Sequence, residues 1–223
     1  MPLSRRAFMT ACSSALVSGC VKNPVLENAY TTFRSAFFDD DTQPISRENS
    51  KKIPYSSMTV KIGKAPRALL ILAYIDPDGT QHWYSGDRVA LILKTGRLVQ
   101  TVGLPDNLRS QRTEGGDPLA DSPHKISTPV ISERIMEIES GGQRRYLPIR
   151  AALHNRGRVK LRILEIDFET VLLEEVNTYE TGNWSFTNRF WADAYDGFIW
   201  KSEQVISRRL PPLNIEIIKP PAA

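Results

Sequence analysis

Three kinds of side chain in this 223-residue sequence could do chemistry: thiols, carboxylates beside aromatic rings, and imidazoles. The thiols are Cys12 and Cys20. Cys20 closes the run Leu16-Val17-Ser18-Gly19-Cys20, where small residues let the backbone enter a signal peptidase and the sulfur becomes a thioether to diacylglycerol. Asp193 and Asp196 stand near Trp191 and Trp200, and cleavage of a glycosidic bond needs two carboxylates roughly 5 to 10 Å apart. Asp196-Gly197 is also ordinary hairpin-turn chemistry, which favours the plain turn over a glycan-cleaving enzyme. His82, His124 and His154 are scattered, with no ligand partner at metal spacing, so neither a metal nor a cofactor is expected. The sequence has no nucleophile elbow, zinc-binding HExxH, phosphate loop or calcium loop, and a non-enzymatic role is expected.

The element that must present Cys20 is an export signal over residues 1–19. It has no acidic residue, carries Arg5 and Arg6 ahead of the mild apolar stretch from Ala7 to Val17, and is too short to span a bilayer as a mature helix. Ser4-Arg5-Arg6-Ala7-Phe8-Met9 resembles a twin-arginine signal, although Thr10 stands where that pattern has a basic residue. A plain basic leader of the general secretory route fits equally well. Val21, not Asp, follows Cys20, which by resemblance to enterobacterial lipoproteins implies sorting to the outer membrane. Cleavage removes Cys12 and acylation consumes Cys20, so the mature domain, residues 20–223, has no thiol left for a disulfide. Cleavage also takes two of the 29 basic residues and none of the 25 acids, leaving a formal charge of +2, and export argues against a nucleic-acid partner.

Behind the anchor, Asn23-Pro24 is a good helix start, and Leu26, Tyr30, Phe33 and Phe37 recur at helical spacing. One amphipathic helix is predicted over residues 24–38, ended by Asp39-Asp40-Asp41. From Met58 the period becomes alternating. Strands are predicted over residues 58–62, 68–75, 81–85, 88–94, 97–102, 130–139, 144–152, 158–168, 184–191, 198–205 and 213–218. Asp76-Pro77-Asp78-Gly79, Thr95-Gly96 and Gly141-Gly142 supply turns. Residues 104–129, with Gly115, Gly116, Pro118, Pro123 and Pro129, read as one long loop. The apolar parity slips at Ile163-Leu164, where a β-bulge or bend would keep the apolar set on the core face. Strands without interposed helices predict an all-β protein, a large antiparallel meander curled into a barrel or half-barrel.

Three groups of residues resemble one family. They are Ile53-Pro54-Tyr55-Ser56-Ser57-Met58 leading to Ile62-Gly63; Thr95-Gly96-Arg97-Leu98-Val99 with Thr101-Val102-Gly103-Leu104 and Asn107-Leu108; and Asn188-Arg189-Phe190-Trp191 with Gly197 and Trp200-Lys201-Ser202-Glu203-Gln204. Together they are similar to the YjbF/GfcB lipoproteins of exopolysaccharide and group 4 capsule loci in Gram-negative bacteria, over about residues 26–220. The resemblance implies a curved antiparallel sheet, attached by its lipid to the periplasmic face of the outer membrane and needed to make or export a surface polysaccharide. It implies partners in the membrane, the polysaccharide or the export machinery. A half-barrel with an apolar concave face could instead carry a lipid or glycan.

Aromatic residues concentrate between Asn188 and Gln204. Trp184, Phe186, Asn188 and Phe190 share one parity, and Phe198 and Trp200 share a face with Ser202 and Gln204; both sets are expected in the core, meeting across the hairpin. Trp191 and Tyr195 fall on the other parity or in the turn, and are the expected glycan or partner contact.

Overall fold

The computed structural model describes residues 45–127 and 129–221. The leader, Cys20 and the helix predicted over residues 24–38 lie outside the described residues. The described chain opens on one short helix, α1 (Arg47–Lys52), whose N-cap Ser46 accepts a hydrogen bond from Asn49 N, with Glu48 in the first turn and Lys51 and Lys52 in the last.

Twelve strands follow: β1 (Ser57–Ile62), β2 (Ala68–Ile75), β3 (Gln81–Tyr84), β4 (Ala90–Lys94), β5 (Arg97–Val102), β6 (Asp106–Thr113), β7 (Val130–Ser140), β8 (Gln143–Ile163), β9 (Ile166–Tyr179), β10 (Trp184–Asp193), β11 (Ile199–Gln204) and β12 (Leu213–Lys219). They form one sheet in the order β5-β4-β3-β2-β1-β12-β11-β10-β9-β8-β7-β6, every neighbouring pair antiparallel. The predicted meander is therefore present, with β1 and β12 bringing the two arms together.

The sheet nearly closes on itself. Its outermost strands, β5 and β6, are consecutive in the chain and lie side by side without a backbone ladder. Side chains substitute for that ladder. Leu108 N donates to Thr101 Oγ1 at 2.9 Å, and Gln111 Nε2 donates to Leu98 O at 2.5 Å. From β11, across the interior, Gln204 accepts from Leu98 N at 2.9 Å and donates to Gly96 O at 2.9 Å. Edge groups that would otherwise invite another chain are thus satisfied internally.

The interior holds two apolar clusters. One gathers Met58, Leu70, Trp83, Leu91, Leu108, Ile149, Phe186 and Leu213; the other gathers Leu119, Leu153, Val171, Leu173, Phe190, Ala192 and Ile199. The outer face carries ion pairs instead, with Arg156, Glu174, Arg189 and Glu203 running across β8 to β11, and Lys201 and Arg67 both on Glu216. Each exposed pair contributes about 0 to 1 kcal/mol, and beside them the outer face of β7 to β9 exposes Ile131, Ile135, Tyr146 and Val176.

Two predicted features are corrected. The long loop at 104–129 contains β6, whose single aliphatic residue is Leu108; with Asp106 and Gln111 at its other inward positions, it shows no apolar alternation to read. The parity slip at Ile163-Leu164 is a chain reversal, not a bulge or bend. Leu164 and Glu165 both have positive φ, at 45° and 66°, and Ile163 pairs with Ile166 across this two-residue turn. The actual irregularity of β8 falls between Asn155 and Arg158, where Gly157 has φ of 92°.

Candidate functional site

Between the two apolar clusters lies a polar layer. On β10, inward Asn188 sits between Phe186 and Phe190; on β9, Glu175 and Asn177 continue the row from Leu173; on β7, Arg134 neighbours Met136. Glu175 is wholly buried and takes two guanidinium groups. Arg97 reaches its oxygens at 2.8 and 2.9 Å, Arg134 bonds it as well, and Asn188 donates to it at 3.0 Å. Arg97 also holds Asp117 of the 114–129 connection through Nε at 2.5 Å and Nη2 at 3.0 Å, and lies 5.1 Å from the centre of the Phe190 ring. Asn177 accepts from Arg134 at 3.1 Å, whereas Arg134 Nε has no partner among the described residues.

The charges respond to this packing. Burial alone pushes the Glu175 carboxyl up, but Arg97 and Arg134 outweigh it and hold the group well below the usual carboxylate range. For Arg97, burial opposes charge, and Glu175 with Asp117 more than offsets it, so the guanidinium is held cationic. Arg134 goes the other way: burial and the neighbouring Arg97 lower it despite Glu175. The layer is closed to solvent and exists to tie elements together. It joins β5, β7, β9 and β10 to the connection that crosses one end of the barrel.

That end, the mouth, carries a hollow of about 370 Å³. One side is the β10–β11 turn, the other the 114–129 connection, which buries Leu119 and makes a single 3₁₀ turn at Pro123–Lys125. Gly197, with φ of 83°, sits so close to that turn that a Cβ there would come within 2.6 Å of His124 Nδ1, a buried nitrogen with no partner among the described residues. Trp200 forms part of the wall. Its Nε1 donates to Asp193 Oδ2 at 2.9 Å, and its ring rests on Phe168 and Phe198 at 4.3 and 4.8 Å between centres.

The expected site residues separate here. Asp193 is occupied by Trp200 and by Tyr195 N, and Asp196 Oδ1 accepts from Phe198 N at 2.8 Å, so both carboxylates brace the turn. Trp200 is half-buried at the mouth rather than in the core. The cause is a bulge: Phe190 pairs with Ser202 and Ala192 with Ile199, so Ile199 takes the inward place and Trp200 is displaced. Phe186 and Phe190 are inward as expected, but the rings they were to meet contact one another and Phe168 instead. Trp191 is half-buried on the outer face, with Lys201 Nζ 5.1 Å from its ring centre, and Tyr195 is 80% exposed at the turn. His82 pairs with Asp76 at 2.8 Å and stacks on Tyr74, far along the chain from His124.

A larger hollow of about 940 Å³ lies on the outer face of β6 to β9 between Arg112, Glu133, Tyr146 and Arg150. It is an open groove in which exposed Ile135 and Tyr146 stand among charged side chains. The mouth is the better candidate because its groups are held by named partners and converge on one small space.

The family model for "Group 4 capsule polysaccharide lipoprotein gfcB, YjbF" matches residues 30–218. The chain belongs to this family. Two relatives from Escherichia coli K12 are alike along nearly their whole length: the uncharacterized lipoprotein GfcB, 23% identical over 96% of this chain and 99% of its own, and the uncharacterized lipoprotein YjbF, 26% identical over 95% and 93%. The crystal structure of the hypothetical lipoprotein YmcC from Escherichia coli K12 has the same fold, with a TM-score of 0.75, 24% identity, and coverage of 86% of this chain and 96% of that one. This family member is thus a capsule-locus type lipoprotein with a nearly closed antiparallel barrel. The resemblance had touched Arg97, Asn188 and Gln204 without assigning them a role. Glu175, Asn177 and Arg134 carry no local signal, because apolar residues occupy both parities of β9 and of β7, and Asp117 lies in the 114–129 connection outside any alternating pattern.

Proposed function

We propose that the protein is held at the periplasmic face of the outer membrane by acylated Cys20 and acts there as a non-enzymatic accessory in making or exporting a surface polysaccharide. The match of residues 30–218 to the group 4 capsule lipoprotein family carries this reading. An internal lipid or glycan carrier fits less well, because two apolar clusters and the polar layer occupy the barrel interior. Replacing Cys20 by Ser should abolish lipidation, since a hydroxyl does not take the sulfur's place in the thioether. Membrane fractionation and mass spectrometry check this; a Ser variant that still carries lipid and sediments with the outer membrane would refute the anchor.

The contact surface in this reading is the outer end of the β10–β11 hairpin, where Trp191 and the exposed Tyr195 offer rings to a glycan or an export protein. Trp191→Ala is expected to lower surface polysaccharide several-fold at unchanged protein level and melting temperature. Wild-type export from that variant would remove Trp191 from the contact.

A further inference from the structure

We infer that the hollow at the barrel mouth is a binding site for one or two sugar rings of the polysaccharide itself, with the Trp200 indole as its platform. This rests on the polysaccharide role proposed above and adds to it a site, a ligand class and a pose.

Size narrows the ligand first. At about 370 Å³ the hollow is at the low end of small-molecule sites, which run from about 300 to 1,000 Å³, so it takes a short piece of a chain and not a folded partner. Its chemistry is amphiphilic in the way a pyranose requires. Phe198 and Trp200 supply flat apolar surface for the C–H face of a ring, while Gln81, Thr95, Ser122 and Asp196 place amide, hydroxyl and carboxylate groups around it for the ring hydroxyls.

Preorganisation is the second argument. Trp200 is fixed at its nitrogen by Asp193 and on its ring by Phe168 and Phe198, so little rotamer freedom is lost when a ligand stacks on it. The opposite wall is equally fixed: Asp117 on buried Arg97 and Leu119 in the core hold the connection that contributes Ser122. Next to the hollow, His124 Nδ1 is a buried polar atom with no partner among the described residues. The β10–β11 bulge, which moves Trp200 out of the core, is what creates the platform.

The test uses full-length lipidated protein in detergent and, as probe, oligosaccharides of two to four units released by mild acid from the producing strain's own extracellular polymer. Binding is read by saturation-transfer NMR and tryptophan fluorescence. Wild type should bind. Ala120→Trp, which adds bulk at an exposed position lining the hollow, should weaken binding at least tenfold with an unchanged melting temperature, and Trp200→Ala should abolish it. Tyr146→Ala, in the outer groove, should bind like wild type. No binding by wild type, or binding that survives Ala120→Trp and falls with Tyr146→Ala, overturns the inference. Export assays distinguish the two levels. If deleting the protein leaves export intact, the proposed function fails; if deletion stops export but Ala120→Trp exports normally, the function stands and the mouth site falls.

Discussion

Glu175→Ala should cost about 3 to 5 kcal/mol of folding stability, the largest loss from any single substitution in the polar layer. The carboxylate is wholly buried and receives hydrogen bonds from Arg97 and Asn188 and an ion pair from Arg134. Removing it leaves two guanidinium groups out of water; Arg97 retains Asp117, but among the described residues Arg134 keeps only the neutral Asn177. For a chain of this length the loss corresponds to a fall in melting temperature of roughly 6 to 20 °C. Acid should act on the same group. A carboxylate whose pKa is lower in the folded than in the unfolded state contributes stability that is complete above the unfolded value, near 4.3, and is lost as pH falls toward the folded value. Wild type should therefore weaken progressively below about pH 5, and Glu175→Gln should show a flatter dependence between about pH 5 and 3. Urea titrations at several pH values measure both. A variant within 1 kcal/mol of wild type, or an unchanged pH slope, would mean the layer is not what holds the barrel's arms together.

Gly96→Ala should cost about 2 to 4 kcal/mol, combining left-handed backbone strain with overpacking. Gly96 has φ of 80°, and a Cβ there would lie 2.5 to 2.8 Å from three side-chain atoms of Ile199. Its carbonyl also receives the Gln204 bond that helps close the seam. Gly79 separates the two causes. With φ of 82° and nothing within 4 Å of its virtual Cβ, Gly79→Ala carries only the backbone term, about 1 kcal/mol. Chemical denaturation of both variants should show Gly96→Ala losing at least twice as much. Equal losses would mean that β11 yields and the close approach across the mouth has little energetic weight.

What was legible in advance rested on local physics. Alternation in Met58-Val60-Ile62 and in Phe186-Asn188-Phe190 places one parity inward, and the structure buries those inward residues except Ile62, which is half-buried at the end of β1. Gly79 and Gly96 take the positive φ that glycine allows, at 82° and 80°, and so mark their hairpins without reference to the rest of the chain, whereas the positive φ of β-branched Thr95, 47°, is imposed by the turn. The three blocks from Ile53 to Gln204 were enough to indicate the family that the comparison with residues 30–218 then showed.

Tertiary structure alone decided the rest, because the missing information is held between strands far apart in the chain. Strand β6 closes the barrel with one aliphatic side chain and several polar ones, so its alternation signals nothing until Thr101 and Leu98 are beside it. The Ile163-Leu164 slip has the same sequence pattern whether it is a bulge or a two-residue reversal; only the pairing of β8 with β9 distinguishes them. Trp200 has core parity in the sequence, and a single bulge opposite Ala192 moves it to the mouth. Glu175 finds Arg97 78 residues away and Arg134 41 residues away, and no periodicity along one strand encodes a partner on another. Sequence alone determined the apolar face of strands such as β1 and β10 and the turns at Gly79 and Gly96, since those depend on neighbours a few residues apart. The burial of a charged layer, the closing of a seam and the hollow at the mouth arise only when the sheet curls and brings its two ends together.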